Sequence, residues 1–438
     1  MSAGPVLFRC HGCGAEVDAA RELPFGCPRA EREPEVDHVL VPVDGLVEGF
    51  RDADTHRGDP DPNPFVRYRA LLSAHRLALS AGLSDAAYLD LVGDLDRAVA
   101  AVDGRGFRVT PLAPEPALAR AAGLPGELWV KDETGNVSGS HKARHLFGVL
   151  LHLRVLEAAR LPAGDGLRAR RLAIASCGNA ALAAAVVARA AAWPLDVFIP
   201  PDASPAVVRR LRDLGAAIAV CERRPGEAGD PCFLRFREAV AAGSLPFGVQ
   251  GTENGLAVEG GRTLALEIAE AAAAAGASID HAYVQVGGGA LASALWQGFA
   301  LAARLGWLPR APRLVAVQTA GCAPLARAWE RLGATPLPEA ARARARFMWP
   351  WEATPHSLAH GILDDETYDW WAIAEGLRAT GGEVVVAGEG EVVRAHDLAR
   401  RHTSIPASAT GTAGLAGVLA RPPAGGRSLV LLSGADRG

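Results

Sequence analysis

Lysine is nearly absent from this 438-residue chain: Lys131 and Lys142 stand beside 43 arginines. A guanidinium stays protonated in protein surroundings, whereas an amine loses its proton in a suitable pocket and becomes a nucleophile. A position that keeps lysine against this bias is a candidate catalytic amine. Lys142 lies in Ser138-Gly139-Ser140-His141-Lys142-Ala143-Arg144, where small and polar residues open an apolar helical pattern. Three further sites carry complementary groups. In Ser176-Cys177-Gly178-Asn179-Ala180 the glycine lets backbone amides approach a ligand and Asn179 adds a side-chain amide, although a helix N-cap explains the same residues. Gly287-Gly288-Gly289-Ala290-Leu291 has free N–H groups at a helix start, which suit a phosphate. It lacks both the GK[ST] ending and the GxGxxG spacing, so a monophosphate is expected rather than a nucleotide. Ser433 adds a hydroxyl near the end of the chain.

The elements that must position these groups follow from periodicity. Helical spacing of apolar residues covers 68–81 and 85–102. From there β-type runs at 128–131, 172–175, 196–199, 217–221, 282–286, 314–318, 383–387 and 428–432 alternate with helices such as 180–192 and 291–305. Short apolar strands separated by helices predict an α/β fold, with parallel sheets covered by helices on both faces. Such sheets bind ligands at the C-terminal ends of their strands, where each motif above falls. The stretch 43–63 is rich in Asp, Gly and Pro and reads as a linker.

Before it, Cys10-His11-Gly12-Cys13 and Cys27-Pro28-Arg29-Ala30 look like a zinc ribbon with its fourth cysteine replaced by Ala30. Either Cys10, Cys13 and Cys27 hold zinc with a histidine, His38 or His11, or the metal was lost with the fourth cysteine; the sequence favours the loss. The seven cysteines are odd in number and scattered, as in a reducing cytoplasm. A net charge of −4 gives no reason to expect nucleic-acid or anionic-membrane partners. No signal peptide and no apolar run long enough to span a bilayer are expected.

An imine-forming lysine, a phosphate cradle, an amide and a hydroxyl around one cleft together suit pyridoxal phosphate. On these motifs the chain resembles the fold-type II (tryptophan synthase β-like) pyridoxal-phosphate enzymes, most of all the threonine synthases. The pattern stands here as Lys131-Asp132-Glu133, Asn136 and Gly139-Ser140-His141-Lys142. The resemblance implies that Lys142 carries the Schiff base, with His141 near the phosphate. It implies that Asn179 contacts the phenolic oxygen, that Gly287, Gly288, Gly289, Ala290 and Leu291 hold the phosphate, and that Ser433 pairs with the ring nitrogen. The threonine-synthase bias rests on Glu259-Gly260-Gly261-Arg262-Thr263 and on Gln318 with Gly321-Cys322-Ala323-Pro324. Ala143 departs from that pattern, and the stretch from His360 to Asp365 matches nothing in it.

The resemblance implies a two-domain enzyme. Residues 64–165 and 251–438 form a large cofactor-binding domain, 166–250 a small one, and 1–40 a degenerate ribbon. Its activity is a lyase or synthase reaction on an α-amino acid by β- or γ-elimination or replacement, with conversion of O-phosphohomoserine to threonine and phosphate preferred. The alternatives are a threonine or serine ammonia-lyase, a β-replacement synthase of the cysteine-synthase type, and a non-catalytic cofactor-binding or ribbon interaction protein. A phosphorylated substrate needs a second anion site, for which His141, Arg144 and Ser138 are candidates. A cytoplasmic homodimer is expected.

Overall fold

The computed structural model describes residues 4–43, 60–227 and 229–437. The expected linker falls largely on 44–59, outside the described residues. The N-terminal ribbon is a three-stranded antiparallel sheet of β1 (Leu7–Cys10), β2 (Glu16–Asp18) and β3 (Leu40–Pro42), in the order β2-β1-β3. Two larger sheets follow. β4 (Leu112–Pro114) and β5 (Glu127–Asp132) join a six-stranded sheet. β6 (Leu172–Ala175), β7 (Leu195–Ile199), β8 (Ala217–Val220) and β9 (Leu245–Pro246) make a four-stranded one. The chain then returns to the larger sheet through β10 (His281–Gln285), β11 (Arg313–Thr319), β12 (Glu383–Ala387) and β13 (Arg427–Leu432).

The orders are β12-β11-β10-β13-β5-β4 and β8-β7-β6-β9, all pairs parallel except β4 with β5. The predicted strands are present. The added ones are short edge or ribbon strands, too brief for periodicity to register. The expected helix at 68–81 is broken. Leu72 is extended, and the helix proper is Ser73–Ser80. Glu259 causes the break by accepting from both the N–H and the hydroxyl of Ser73, at 2.8 and 2.5 Å.

The helix Lys142–Ala158, which carries the candidate amine, crosses Glu259–Ala274 backbone to backbone. A Cβ on Gly260 would sit 2.1 Å from the Arg144 carbonyl, and one on Gly148 2.9 Å from the Gly260 Cα. A buried ionic network locks the crossing. Arg144 forks onto both oxygens of Glu133, each at 2.9 Å, and also bonds Glu267. Lys131 on β5 donates to Glu267 Oε2 and to the Thr110 carbonyl, both at 2.6 Å. Two cations and two anions balance with almost no exposure to water. Removing one member of such a set leaves an uncompensated charge in a medium that cannot solvate it. Glu267→Gln should therefore cost about 3–5 kcal/mol of stability, read as a lower urea midpoint with an unchanged slope.

Candidate functional site

The Lys142 motif is stitched to the end of β13. Ser140 and Gly434 form an antiparallel bridge, and the His141 N–H donates to the Ser433 carbonyl at 3.1 Å. His141 Nδ1 lies 3.0 Å from the same carbonyl. A carbonyl only accepts, so Nδ1 carries the proton. Nε2 is left as a buried acceptor without a partner. Burial, reinforced by the charge of Lys142, pushes this imidazole well below its usual range, so it stays neutral. The turn before it needs left-handed backbone at Ser138 (φ 55°) and Gly139 (φ 67°), a conformation a serine adopts only under tertiary constraint. The Asp103 carboxylate, accepting from the Ser138 N–H at 2.8 Å, supplies that constraint.

The two lysines separate cleanly. Lys131 is spent in the ionic network. Lys142 has no hydrogen-bond or ion-pair partner among the described residues, and burial of its amine pulls it below the usual lysine range against the opposing pull of Asp364 and Asp369. The network also absorbs Arg144, one of the three candidates for a second anion site, whose guanidinium is taken up by Glu133 and Glu267.

Beside the amine lie the remaining predicted groups. Asn179 opens the helix Asn179–Ala190. Its Oδ1 accepts from Arg437 Nε at 3.2 Å, and its Nδ2 is 2.7 Å from where a Cβ on Gly434 would stand, so that glycine permits the approach. Gln285, which sequence reasoning missed, donates from Nε2 to Ser433 Oγ at 2.6 Å. Its only sequence signal is a polar residue inside an apolar strand. The hydroxyl proton of Ser433 is thereby left for another acceptor.

Gly287–Gly289 lead from β10 into the helix Ala290–Arg304, whose cap Gly289 has φ 103°. The N–H groups of Ala290 and Leu291 at this helix start have no intrahelical partner. Packed on the loop is the segment 364–369, which begins at the end of the 360–365 stretch that matched nothing. The Gly288 N–H donates to Asp364 Oδ2 at 2.8 Å, and a Cβ on Gly287 would meet that oxygen at 2.3 Å. Thr367 Oγ1 donates to the Gly287 carbonyl, and the Asp369 N–H to that of Gly288, both at 3.0 Å. Asp364 and Asp369, also missed, are the carboxyl groups whose charge acts on the Lys142 amine. Burial raises both carboxyls, Asp369 to about 7.

These residues fit pyridoxal phosphate. The amine is unpartnered, the loop already cradles an anionic oxygen, a hydroxyl is free to donate, and His141 Nε2 and Ser140 Oγ are orphaned. A phosphate on the loop and the Asp364 carboxylate compete for the Gly288 N–H. In the ribbon, Cys13 Sγ lies 3.5 Å from Cys27 Sγ, and Cys10 Sγ lies 3.4 Å from His38 Nδ1. His11 is instead engaged by Asp37 at 3.2 Å.

Comparison with known proteins agrees with the geometry. The pattern of the family described as pyridoxal-phosphate dependent enzyme matches residues 105–434. A threonine synthase from Synechocystis is 26% identical over 74% of this chain and 75% of its own length. A serine dehydratase-like protein from Rattus norvegicus is 29% identical over 49% of the chain, which spans only 57% of that relative. The fold matches that of the T.th. threonine deaminase with a TM-score of 0.58 at 22% identity, covering 79% of this chain and 98% of that one. Among the described residues no helix is long and apolar enough to cross a membrane.

The raised carboxyl of Asp369 has a measurable sign. Folded, it keeps its proton to about pH 7; unfolded, it loses it near pH 4. The folded state holds the extra proton between these values, so this group lowers stability as pH rises from about 4 to about 7. Asp369→Asn should stabilise the cofactor-free protein at pH 8, by at most about 4 kcal/mol, and change little at pH 4, as read by calorimetric melting. Asp364→Ala should tighten pyridoxal phosphate binding in a fluorescence titration, because the competing carboxylate is gone; weaker binding would show that Asp364 supports the site.

Proposed function

The chain belongs to the pyridoxal-phosphate-dependent enzyme family, and on that footing we propose an α-amino-acid lyase that expels a hydroxyl or amine from Cβ, with Lys142 as the anchoring amine and base. When bound, the cofactor supplies the electron sink that makes loss of a Cα proton feasible. Lys142 has no partner to hold its proton, and burial favours its neutral form, so it is equipped to take that proton near neutral pH. The Gly287–Leu291 loop would hold the cofactor's phosphate and Asn179 its ring. Ser433, its oxygen held by Gln285, would have its proton free for the ring nitrogen. The packing of Asp364 and Asp369 on the glycine loop, with both charges felt by Lys142, carries the substrate reading. A dianionic phosphate there would require Asp364 and Asp369 both to hold their protons, with Arg144 already committed to its own carboxylates. A neutral hydroxyl or an ammonium makes no such demand. Asp369, protonated to about pH 7, can return a proton to a departing hydroxyl.

A second reading, threonine synthase, is supported by the extent of the Synechocystis match. The strings that suggested it do packing work here. Glu259 caps Ser73, Gly260 admits the crossing helix, and Gln318 Oε1 accepts from the Leu325 and Ala326 N–H groups.

Serine or threonine should release ammonia and a keto acid, while O-phosphohomoserine releases no phosphate; threonine plus phosphate from the latter would install the second reading, and a sulfide adduct from serine plus thiol a replacement synthase. Lys142→Ala should lower turnover by about 10²–10⁴-fold or more. Borohydride should fix the cofactor on Lys142, and a label mapped to Lys131 would defeat the assignment.

A further inference from the structure

We propose that the ribbon is a closed Cys3His zinc site, and that the metal clamps the acidic segment lying on the glycine loop. Ligand atoms of Cys10, Cys13, Cys27 and His38 all lie within 4.8 Å of one another, as the corners of a metal-centred tetrahedron must. No disulfide competes for the thiols. Ala30 cannot ligate, and the fourth position comes from the approach to β3 instead. In the antiparallel register Cys10 faces Leu40, and the His11 N–H donates to the Val39 carbonyl, which brings His38 up beside the knuckle. His38 Nε2 lies 3.0 Å from the Glu33 carbonyl, so it carries the proton. Nδ1 then presents its lone pair towards Cys10, the arrangement that orients a ligating imidazole. The Arg29 N–H donates to Cys27 Sγ at 3.4 Å, a bond that steadies a thiolate. As each Zn–S bond forms, the thiol proton leaves to solvent.

The residues beside two of these ligands grip the functional segment. His11, next to Cys10, stacks on Trp371 with ring centroids 4.2 Å apart and planes 6° from parallel. Asp37, next to His38, is fully buried and takes Arg344 Nε at 3.2 Å, while its N–H donates to the Ala341 carbonyl at 2.6 Å. Arg344 in turn holds Glu366 and donates its own N–H to the Glu35 carbonyl at 2.9 Å. Glu366 and Trp371 flank Thr367 and Asp369, which bond the glycine loop directly. A metal that fixes Cys10 and His38 therefore fixes the placement of Asp364 and Asp369.

The metal site stands without the functional reading; its link to the cofactor rests on the glycine loop being the phosphate site. Full-length protein from zinc-supplemented cells should hold one zinc per chain. After reduction and chelation, titration with Co2+ should give the intense visible bands of tetrahedral cobalt with thiolate charge transfer. His38→Cys should keep the stoichiometry and strengthen the charge transfer, and His38→Ala should weaken metal binding by about 10–100-fold or more. Absence of zinc together with no cobalt bands in the reduced wild-type chain overturns the site, even if Cys13→Ser proves too unstable to test. Chelated wild-type protein should bind pyridoxal phosphate several-fold more or less tightly than the zinc form, by absorbance titration. Zinc present with unchanged cofactor affinity on its removal overturns the clamp, and zinc present with no cofactor binding in either form overturns the functional reading instead.

Discussion

Burying charge is expensive, and this protein does it at the point where the candidate amine is positioned. Arg144 follows Lys142 by two residues on the same helix, and its guanidinium is shared between Glu133 and Glu267 with no access to water. Lys131 completes the neutral set from β5. A helix anchored this way cannot rotate or slide without breaking charge-assisted bonds in a medium that offers no replacement. The consequence is chemical as much as mechanical. The network consumes Lys131 and the neighbouring arginine, so Lys142 is left as the one lysine amine without a counter-ion. Burial, and not an adjacent base, pulls this amine below the usual lysine range.

The opposite wall of the cleft is built by a different logic. The 364–369 segment is tied to the glycine loop through its carbonyls and through the Gly288 N–H, which sets two carboxyl groups where their charge acts on the amine. Burial raises these carboxyl groups, and the charge of the neighbouring amine opposes that rise. The same segment is backed by the ribbon, so the farthest part of the sequence from residue 369 supports the residues nearest the loop.

Much of the sheet framework was legible beforehand because strand and helix periodicity are local properties. The eight long strands and the helices at Asn179–Ala190 and Ala290–Arg304 lie within a residue or two of their expected bounds. Periodicity failed where tertiary contacts override it. The break at Leu72 depends on Glu259, and β4 and β9 exist only because a neighbouring strand pairs with them. The similarity to threonine synthases in 259–263 and 318–324 was visible too, but its meaning was not: these residues join helices and cap a turn.

The sequence by itself determined the alternation of strands and helices, the phosphate-ready glycine loop, the cofactor class, and the preference for Lys142 over the arginines around it. Each is a matter of neighbouring residues and backbone chemistry. Tertiary structure decided that Lys131 and Arg144 are committed to a buried ionic network, that Asp364 and Asp369 pack on the glycine loop, and that His38 comes up beside the three ribbon cysteines. Those outcomes depend on which charges and donors meet across separations such as the 136 residues between Lys131 and Glu267. Pairing over such a span is fixed by packing, and no local pattern in the chain encodes it.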